Sequence, residues 1–186
     1  EPELGGYIYS VLADGEDAWI GGEGNILKIL SGVDKKNELY GGFSGIPRDK
    51  ITALYKDGKD NLWIGTSASG LYRMNLKTKS AGRYYISENS LENTINAIAG
   101  LENIIWVGTH NGVLEIDITT GGIKHFSTNE GLPHNKISDV FVDSKGNVWI
   151  ATRANGIYSI TSSAEYLITG SFILEFVSIM EDEQGY

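Results

Sequence analysis

The residues able to do chemistry in this 186-residue chain are few, and most of them recur at equivalent positions. Asp57, Asp60, Asp143 and Asp182, with several glutamates, could in principle supply the paired carboxylates of a glycosidase, one protonated and one ionised. Their surroundings point elsewhere. Asp57 opens Asp57-Gly58-Lys59-Asp60-Asn61 and Asp143 opens Asp143-Ser144-Lys145-Gly146-Asn147, with Asp182 at the matching place further on. In such turns a short acceptor side chain closes onto its own backbone. The Asp143 turn lacks the ligand number and terminal glutamate of a calcium loop. His110, His125 and His134 stand in no HExxH or similar metal-ligand spacing, and no GxSxG string marks a serine nucleophile. Gly21-Gly22-Glu23-Gly24 opens no helix, so it is not a phosphate cradle. With no cysteine, thiolate catalysis, disulfides and Cys-ligated metal are excluded. The expectation is a chain without catalytic residues, metal or cofactor.

Binding is a better use of the polar residues that do not recur. Arg48, His110, Asn111, His134, Asn135, Arg153 and Asn155 are the candidate ligand contacts. Arginine, amide and imidazole groups hydrogen-bond sugar hydroxyls or a carboxylate. Taken singly, each could equally be a solvated turn residue. Taken together, they vary on a framework that stays constant, as a binding face does.

That framework is a strand that occurs four times: Ala18-Trp19-Ile20-Gly21, Leu62-Trp63-Ile64-Gly65, Ile105-Trp106-Val107-Gly108 and Val148-Trp149-Ile150-Ala151. The four tryptophans are separated by 44, 43 and 43 residues. A period of this size with one β core per period marks a propeller or similar array. Before each Trp strand comes an apolar, β-branched strand such as Ile51-Thr52-Ala53-Leu54-Tyr55 or Ile137-Ser138-Asp139-Val140-Phe141, joined to it by the tight turn. After it come a third strand, begun after a glycine in most copies, and a shorter, more polar fourth suited to an outer edge. The Trp strand is apolar on both faces and must lie between two layers, which in a propeller are neighbouring blades. The small residue two places after each tryptophan leaves room for the next blade. The loop between strands two and three and the linker between repeats then share one end of the blade. The candidate binding residues fall in those two segments.

The fold expected is all-β, a β-propeller of four-stranded antiparallel blades. The repeats span about 7–49, 50–93, 94–135 and 136–176, and 177–186 resembles the start of a fifth, so the chain reads as one segment of a larger propeller. Residues 162–176 fit the pattern poorly. An open array of this kind is expected to self-associate, as a homodimer or edge to edge.

The strings Ile-x-Ala-Leu-Tyr-x-Asp-Gly-x-x-Asn-Leu-Trp-Ile-Gly-Thr from Ile51, Gly70-Leu71-Tyr72-Arg73, Gly131-Leu132-Pro133-His134-Asn135-Lys136-Ile137 and Gly146-Asn147-Val148-Trp149-Ile150 resemble the two-component regulator propeller repeat. No tryptophan here is followed by aspartate, which sets these repeats apart from tryptophan-aspartate propellers. Departures are Gly22 in place of threonine, Ala151 in place of glycine, and residues 162–176. The resemblance implies the periplasmic or extracellular sensor region of a hybrid two-component regulator, which detects oligosaccharides and signals to a histidine kinase. No kinase or transmembrane part lies within these residues. The alternatives are a protein-interaction scaffold and, third, a propeller lyase or glycosidase.

Composition agrees. The net charge of −9 and pI near 4.8 provide no basic footprint for nucleic acid and no attraction to an anionic membrane surface. The most apolar run, Tyr166 to Met180, is too short to span a bilayer and contains Gly170 and Glu175. The 24 glycines and 10 tyrosines favour a turn-rich β chain.

Overall fold

The computed structural model describes residues 4, 6–32, 35–154 and 156–160, and the backbone of 165–168. The expected opening of a fifth repeat at 177–186 lies outside the described residues. The described chain is all-β apart from two single 3-10 turns, at Gly42–Ser44 and Thr128–Glu130. Among the described residues, no helix is long and apolar enough to cross a membrane.

Four antiparallel sheets of four strands follow one another, each wound in chain order. They are β1 (Ser10–Asp14), β2 (Asp17–Gly21), β3 (Ile26–Ile29) and β4 (Glu38–Tyr40); then β5 (Ile51–Lys56), β6 (Asn61–Thr66), β7 (Leu71–Asn75) and β8 (Ser80–Tyr85). The third sheet is β9 (Ile95–Leu101), β10 (Ile104–Thr109), β11 (Gly112–Asp117) and β12 (Ile123–Phe126). The fourth is β13 (Ile137–Val142), β14 (Val148–Thr152), β15 (Ile157–Ile160) and β16 (Glu165–Ile168). Each sheet is a propeller blade. The chain divides into two compact units, Glu1–Ile95 and Asn96–Tyr186.

Within each unit, blades join by inserting an isoleucine onto a glycine. A Cβ on Gly21 would stand 2.7 Å from Ile51 Cγ2, and one on Gly65 would stand 2.5 Å from Ile95 Cγ2. In the second unit the pair is Gly108 and Ile137, at 2.7 Å. Ile51, Ile95 and Ile137 are all fully buried. A hydrogen bond accompanies each contact: Ser10 Oγ donates to the Ile51 carbonyl (2.8 Å), Thr52 Oγ1 to Ile95 (2.6 Å) and Asn96 Nδ2 to Ile137 (2.6 Å). The glycine two places after Trp19, Trp63 and Trp106 is therefore a socket for the opening isoleucine of the next repeat.

Three of the four tryptophans are core, and Trp149 is half-buried. Trp19 and Trp63 are almost fully enclosed, and Trp106 is 7% exposed. Trp19, Trp63 and Trp106 each meet an aromatic ring of the fourth strand region: Tyr40, Tyr84 and Phe126, with centroids 5.7, 4.7 and 5.7 Å away. The polar outer strand thus sends one ring inward. The first blade differs on one face. Ile8 is 58% and Val11 67% exposed, whereas their counterparts Ile51 and Leu54 are buried.

Candidate functional site

The end of each blade where β2–β3-type loops meet the linkers is built from repeated backbone parts. Thr66, Thr109 and Thr152 are fully buried, and each Oγ1 donates across the loop to the carbonyl of Gly70, Gly112 or Gly156 (2.8, 2.9 and 2.8 Å). The threonine therefore sets loop shape and is not a ligand contact. Each linker is latched to its own loop: Gly24 N–H donates to the Asp49 carbonyl (2.7 Å), Gly70 to Asn93 (3.2 Å) and Gly112 to Asn135 (2.6 Å). The next residue holds the following loop, with Ser67 N–H on the Lys50 carbonyl (3.1 Å) and Arg153 N–H on Lys136 (2.8 Å). Side chains from a linker and two loops are thereby gathered in each unit.

In the first unit Arg48 is exposed at this end. Beside it, Asp49 accepts from Ser67 Oγ and from the backbone N–H groups of Lys50, Ala68 and Ser69 (2.7, 2.8 and 2.8 Å). Burial opposes its ionisation, but these donors outweigh burial and hold its carboxyl below the usual range. Asp49 is therefore a loop brace. The Lys50 ammonium lies over the Tyr9 ring, 5.2 Å from its centroid.

In the second unit the candidates separate. Asn135 serves structure with two of its acceptors: its carbonyl latches Gly112 and its Oδ1 accepts from Thr128 N–H (2.7 Å). His134 Nδ1 accepts from Lys136 N–H (2.9 Å), which leaves its other ring nitrogen pointing away from that bond. The Asn111 carbonyl sits 2.5 Å from His125 Nε2 on the outer strand. Asn155 lies outside the described residues. Backbone bonds from Gly112 to Asn135 and from Arg153 to Lys136 bring the loops that carry His110 and Arg153 to the linker that carries Lys136. His110 is half-buried, and burial first, then the charges of Lys136 and Arg153, push its pKa below the ordinary imidazole value. Among the described residues, no carboxylate forms an ion pair with any of the three. A focus of positive potential thus sits on a chain of net charge −9. Lys136 was missed by the sequence reading. The signal available was the lysine directly before the opening isoleucine in two repeats, Lys50-Ile51 and Lys136-Ile137.

The other end of the first unit carries the hairpin aspartates. Asp14, Asp57 and Asp60 line a depression of about 500 Å³ with Tyr55 and Lys56. Asp14 pairs with Lys56 Nζ (2.5 Å) and accepts from Trp19 Nε1 (3.0 Å). Asp57 accepts from Lys59 N–H, Asn61 N–H and Trp63 Nε1 (2.8, 3.0 and 2.9 Å). Asp143 repeats the set with Lys145, Asn147 and Trp149 (2.9, 2.8 and 2.9 Å). All three carboxyls are held below the usual range: Asp14 chiefly by Lys56, Asp57 and Asp143 by hydrogen bonds that outweigh burial. A glycosidase needs one carboxyl raised to act as general acid, and none of these is. Among the described residues, no group of three or more His, Asp or Glu is placed to hold a metal ion.

Residues 45–68 and 131–154 match the sequence profile of the two component regulator propeller family. Each match runs from the linker through the hairpin into the loop after the Trp strand. Solved structures share the fold. The extracellular domain of a one component system from B. thetaiotaomicron superposes with a TM-score of 0.77 at 18% identity, covering 97% of this chain and 25% of that one. The extracellular domain of a hybrid two component system from the same organism gives 0.74 at 20% identity, covering 96% and 26%. The computationally designed Ika4 protein gives 0.61 at 17% identity, covering 85% and 94%. The chain spans about a quarter of the length of the two bacterial domains. No curated protein matches the chain. Two segments of the chain thus match the repeat of the two component regulator propeller family, and the blades share their fold with solved extracellular domains.

Proposed function

We propose that this chain is a non-catalytic, ligand-sensing β-propeller segment of an extracytoplasmic sensor, and that its ligand is an oligosaccharide bearing an acidic group. The observation that carries the reading is the His110, Lys136 and Arg153 cluster, held by latched backbone yet left without a carboxylate partner among the described residues. An anionic ligand group would find three donors there without first displacing an internal ion pair. Arg48, Asn111, His134, Asn135 and Asn155 are proposed to flank or shape the ligand surface. Signalling would follow from a population shift, in which ligand favours one arrangement of the sensor and biases a histidine kinase outside these residues. The location proposed is periplasmic or extracellular. The family match and the fold shared with bacterial extracellular domains support this reading.

The test is calorimetric titration with a panel of neutral and uronic-acid-containing oligosaccharides, on the wild type and on Arg153→Glu. Binding heat from an acidic member that disappears in Arg153→Glu supports the proposal. No heat or thermal stabilisation from any acidic member refutes it.

The exposed Ile8 and Val11 favour a second, compatible reading, in which the first blade's open face self-associates. These side chains present an isoleucine knob of the kind that elsewhere fills a glycine socket. Sedimentation should show concentration-dependent association that Val11→Lys abolishes, and a strictly monomeric wild type would refute this reading.

A further inference from the structure

We propose that a groove on the second blade is a binding site for a small organic acid, whose carboxylate is taken by the Arg73 guanidinium. The groove holds about 280 Å³, and Asn61, Arg73, Asn75, Ser80, Gly82 and Tyr84 are on its walls. It lies wholly within the first unit, whereas the His110 cluster belongs to the second.

Three blades carry a charged side chain at one equivalent place, opposite the tryptophan on the neighbouring strand. These are Lys28 opposite Trp19, Arg73 opposite Trp63 and Glu115 opposite Trp106. In two of the three, the chain itself supplies the counter-charge. Lys28 Nζ lies 3.5 Å from Asp17, and Glu38 stands opposite Lys28 on the outer strand. Glu115 Oε1 lies 2.8 Å from Nζ of Lys124, its register partner on the outer strand. In the second blade both of those places are uncharged. Asn61 stands two residues before Trp63, where Asp17 stands before Trp19, and the residue opposite Arg73 on β8 is Gly82. Among the described residues, no carboxylate forms an ion pair with Arg73. The second blade thus has the cation of a recurring pair without its anion.

Open space lies where that anion would sit. Nothing is within 4 Å of a Cβ built on Gly82, so the outer strand is bare opposite Arg73. Arg73 is exposed, and its guanidinium is held near the Trp63 and Tyr84 rings, 5.7 and 5.3 Å from their centroids. Such cation–π contacts position the group without giving its N–H donors an acceptor oxygen. A carboxylate would meet two of those donors in the parallel, bidentate geometry that arginine favours.

The rest of the wall favours the same ligand. Asn75 Oδ1 accepts from the N–H groups of Lys77 and Thr78 (3.0 Å each), which fixes the amide and leaves Nδ2 as its donor end. Ser80 adds an exposed hydroxyl. The Asp60 carboxylate, beside Asn61 in the chain, is already paired with Lys77 Nζ (2.8 Å), so it does not cancel the Arg73 charge. A guanidinium, an amide donor and a hydroxyl together complement an anion. The volume is just below that of drug-sized sites, which suits an acid of a few carbons better than a chain segment.

The experiment is NMR titration of the whole chain with acetate, succinate and citrate, balanced with sodium chloride to constant ionic strength. Phosphate and a short capped glutamyl peptide are run as separate arms. The proteins are the wild type, Arg73→Gln, Gly82→Glu, Gly82→Gln and Arg153→Glu. Saturable shifts of the Arg73 Nε–H and Gly82 amide signals are expected with at least one of the three acids. Arg73→Gln should weaken that binding about tenfold or more. Gly82→Glu returns a carboxylate to the place that Glu38 holds opposite Lys28, and should abolish binding without lowering the melting temperature. Gly82→Gln, similar in size but uncharged, should weaken binding less, and Arg153→Glu should leave the Arg73 shifts unchanged. The proposal is overturned if none of the three acids shifts these signals at about 50 mM, well above a millimolar Kd. It is also overturned if only phosphate or the peptide binds, if Arg73→Gln binds like the wild type, or if Gly82→Glu binds no worse than Gly82→Gln. Loss of this binding with acidic-oligosaccharide binding retained would sink this site and leave the loop-end proposal standing.

Discussion

Asp57→Ala should remove about 3–5 kcal/mol from the stability of the first unit. Asp57 is 4% exposed, and its carboxylate is the acceptor for Lys59 N–H, Asn61 N–H, Asn61 Nδ2 and Trp63 Nε1. Lys59 is exposed, so its N–H can turn to water at little cost. Trp63 is fully buried, and its indole N–H has no such route. Leaving that donor unmatched after losing a charged partner costs about 2–3 kcal/mol, and the half-buried Asn61 backbone N–H adds about 1–2. Asp57→Asn keeps an acceptor for the turn but sets an amide against Trp63 and Asn61, and should cost roughly half as much. The Asp57 pKa is lowered in the fold, so its contribution is complete above the unfolded value near 3.9 and is lost as pH falls through the folded value. Urea denaturation followed by tryptophan fluorescence between pH 3 and 7 measures both effects. The acid-side loss of stability should be shallower in Asp57→Asn than in the wild type. Asp143→Ala, at a half-buried copy of the same turn, should cost less. If Asp57→Ala unfolds within about 1 kcal/mol of the wild type, the aspartate–indole bond is not what joins the hairpin to the Trp strand.

Three further outcomes are expected. Gly65→Ala should destabilise by about 1–3 kcal/mol, because its Cβ would fall 2.5 Å from Ile95 Cγ2; combined with Ile95→Ala it should cost less than the sum of the two single changes in denaturation. Thr66→Val should cost about 1–2 kcal/mol by thermal melting, since the buried Oγ1 both donates to Gly70 and accepts from Ser69. His110 should titrate by NMR below the ordinary imidazole value, and Arg153→Glu should raise its pKa; no change would show that the two charges are not neighbours.

Much of the framework was legible in residues that repeat. The 44-, 43- and 43-residue intervals between tryptophans fix the blade period, and apolar residues on both faces fix which strand is enclosed. Gly65 was readable as room for packing because a small residue recurs two places after each tryptophan. Less was legible at the site. His110 and Arg153 were named from the sequence, but Lys136 was not, although a lysine precedes the opening isoleucine in two repeats, as Lys50-Ile51 and Lys136-Ile137. Asn135 looked like a ligand contact because its amide resembles one, and only the fold shows that amide turned onto Thr128 N–H. The groove beside Arg73 could not be read at all. It exists because Gly82 stands opposite Arg73, and that register is set only when β7 and β8 pair.

The sequence by itself determined the repeat, the antiparallel four-stranded blade and the core role of Trp19, Trp63 and Trp106, because burial and hydrogen bonding within one blade are periodic and local. Tertiary structure alone decided which polar side chains are consumed and which stay available. That depends on contacts between segments distant in sequence, such as Asp49 bracing the Ser67–Ser69 loop and Glu38 meeting Lys79, where position in space rather than residue type selects the partner.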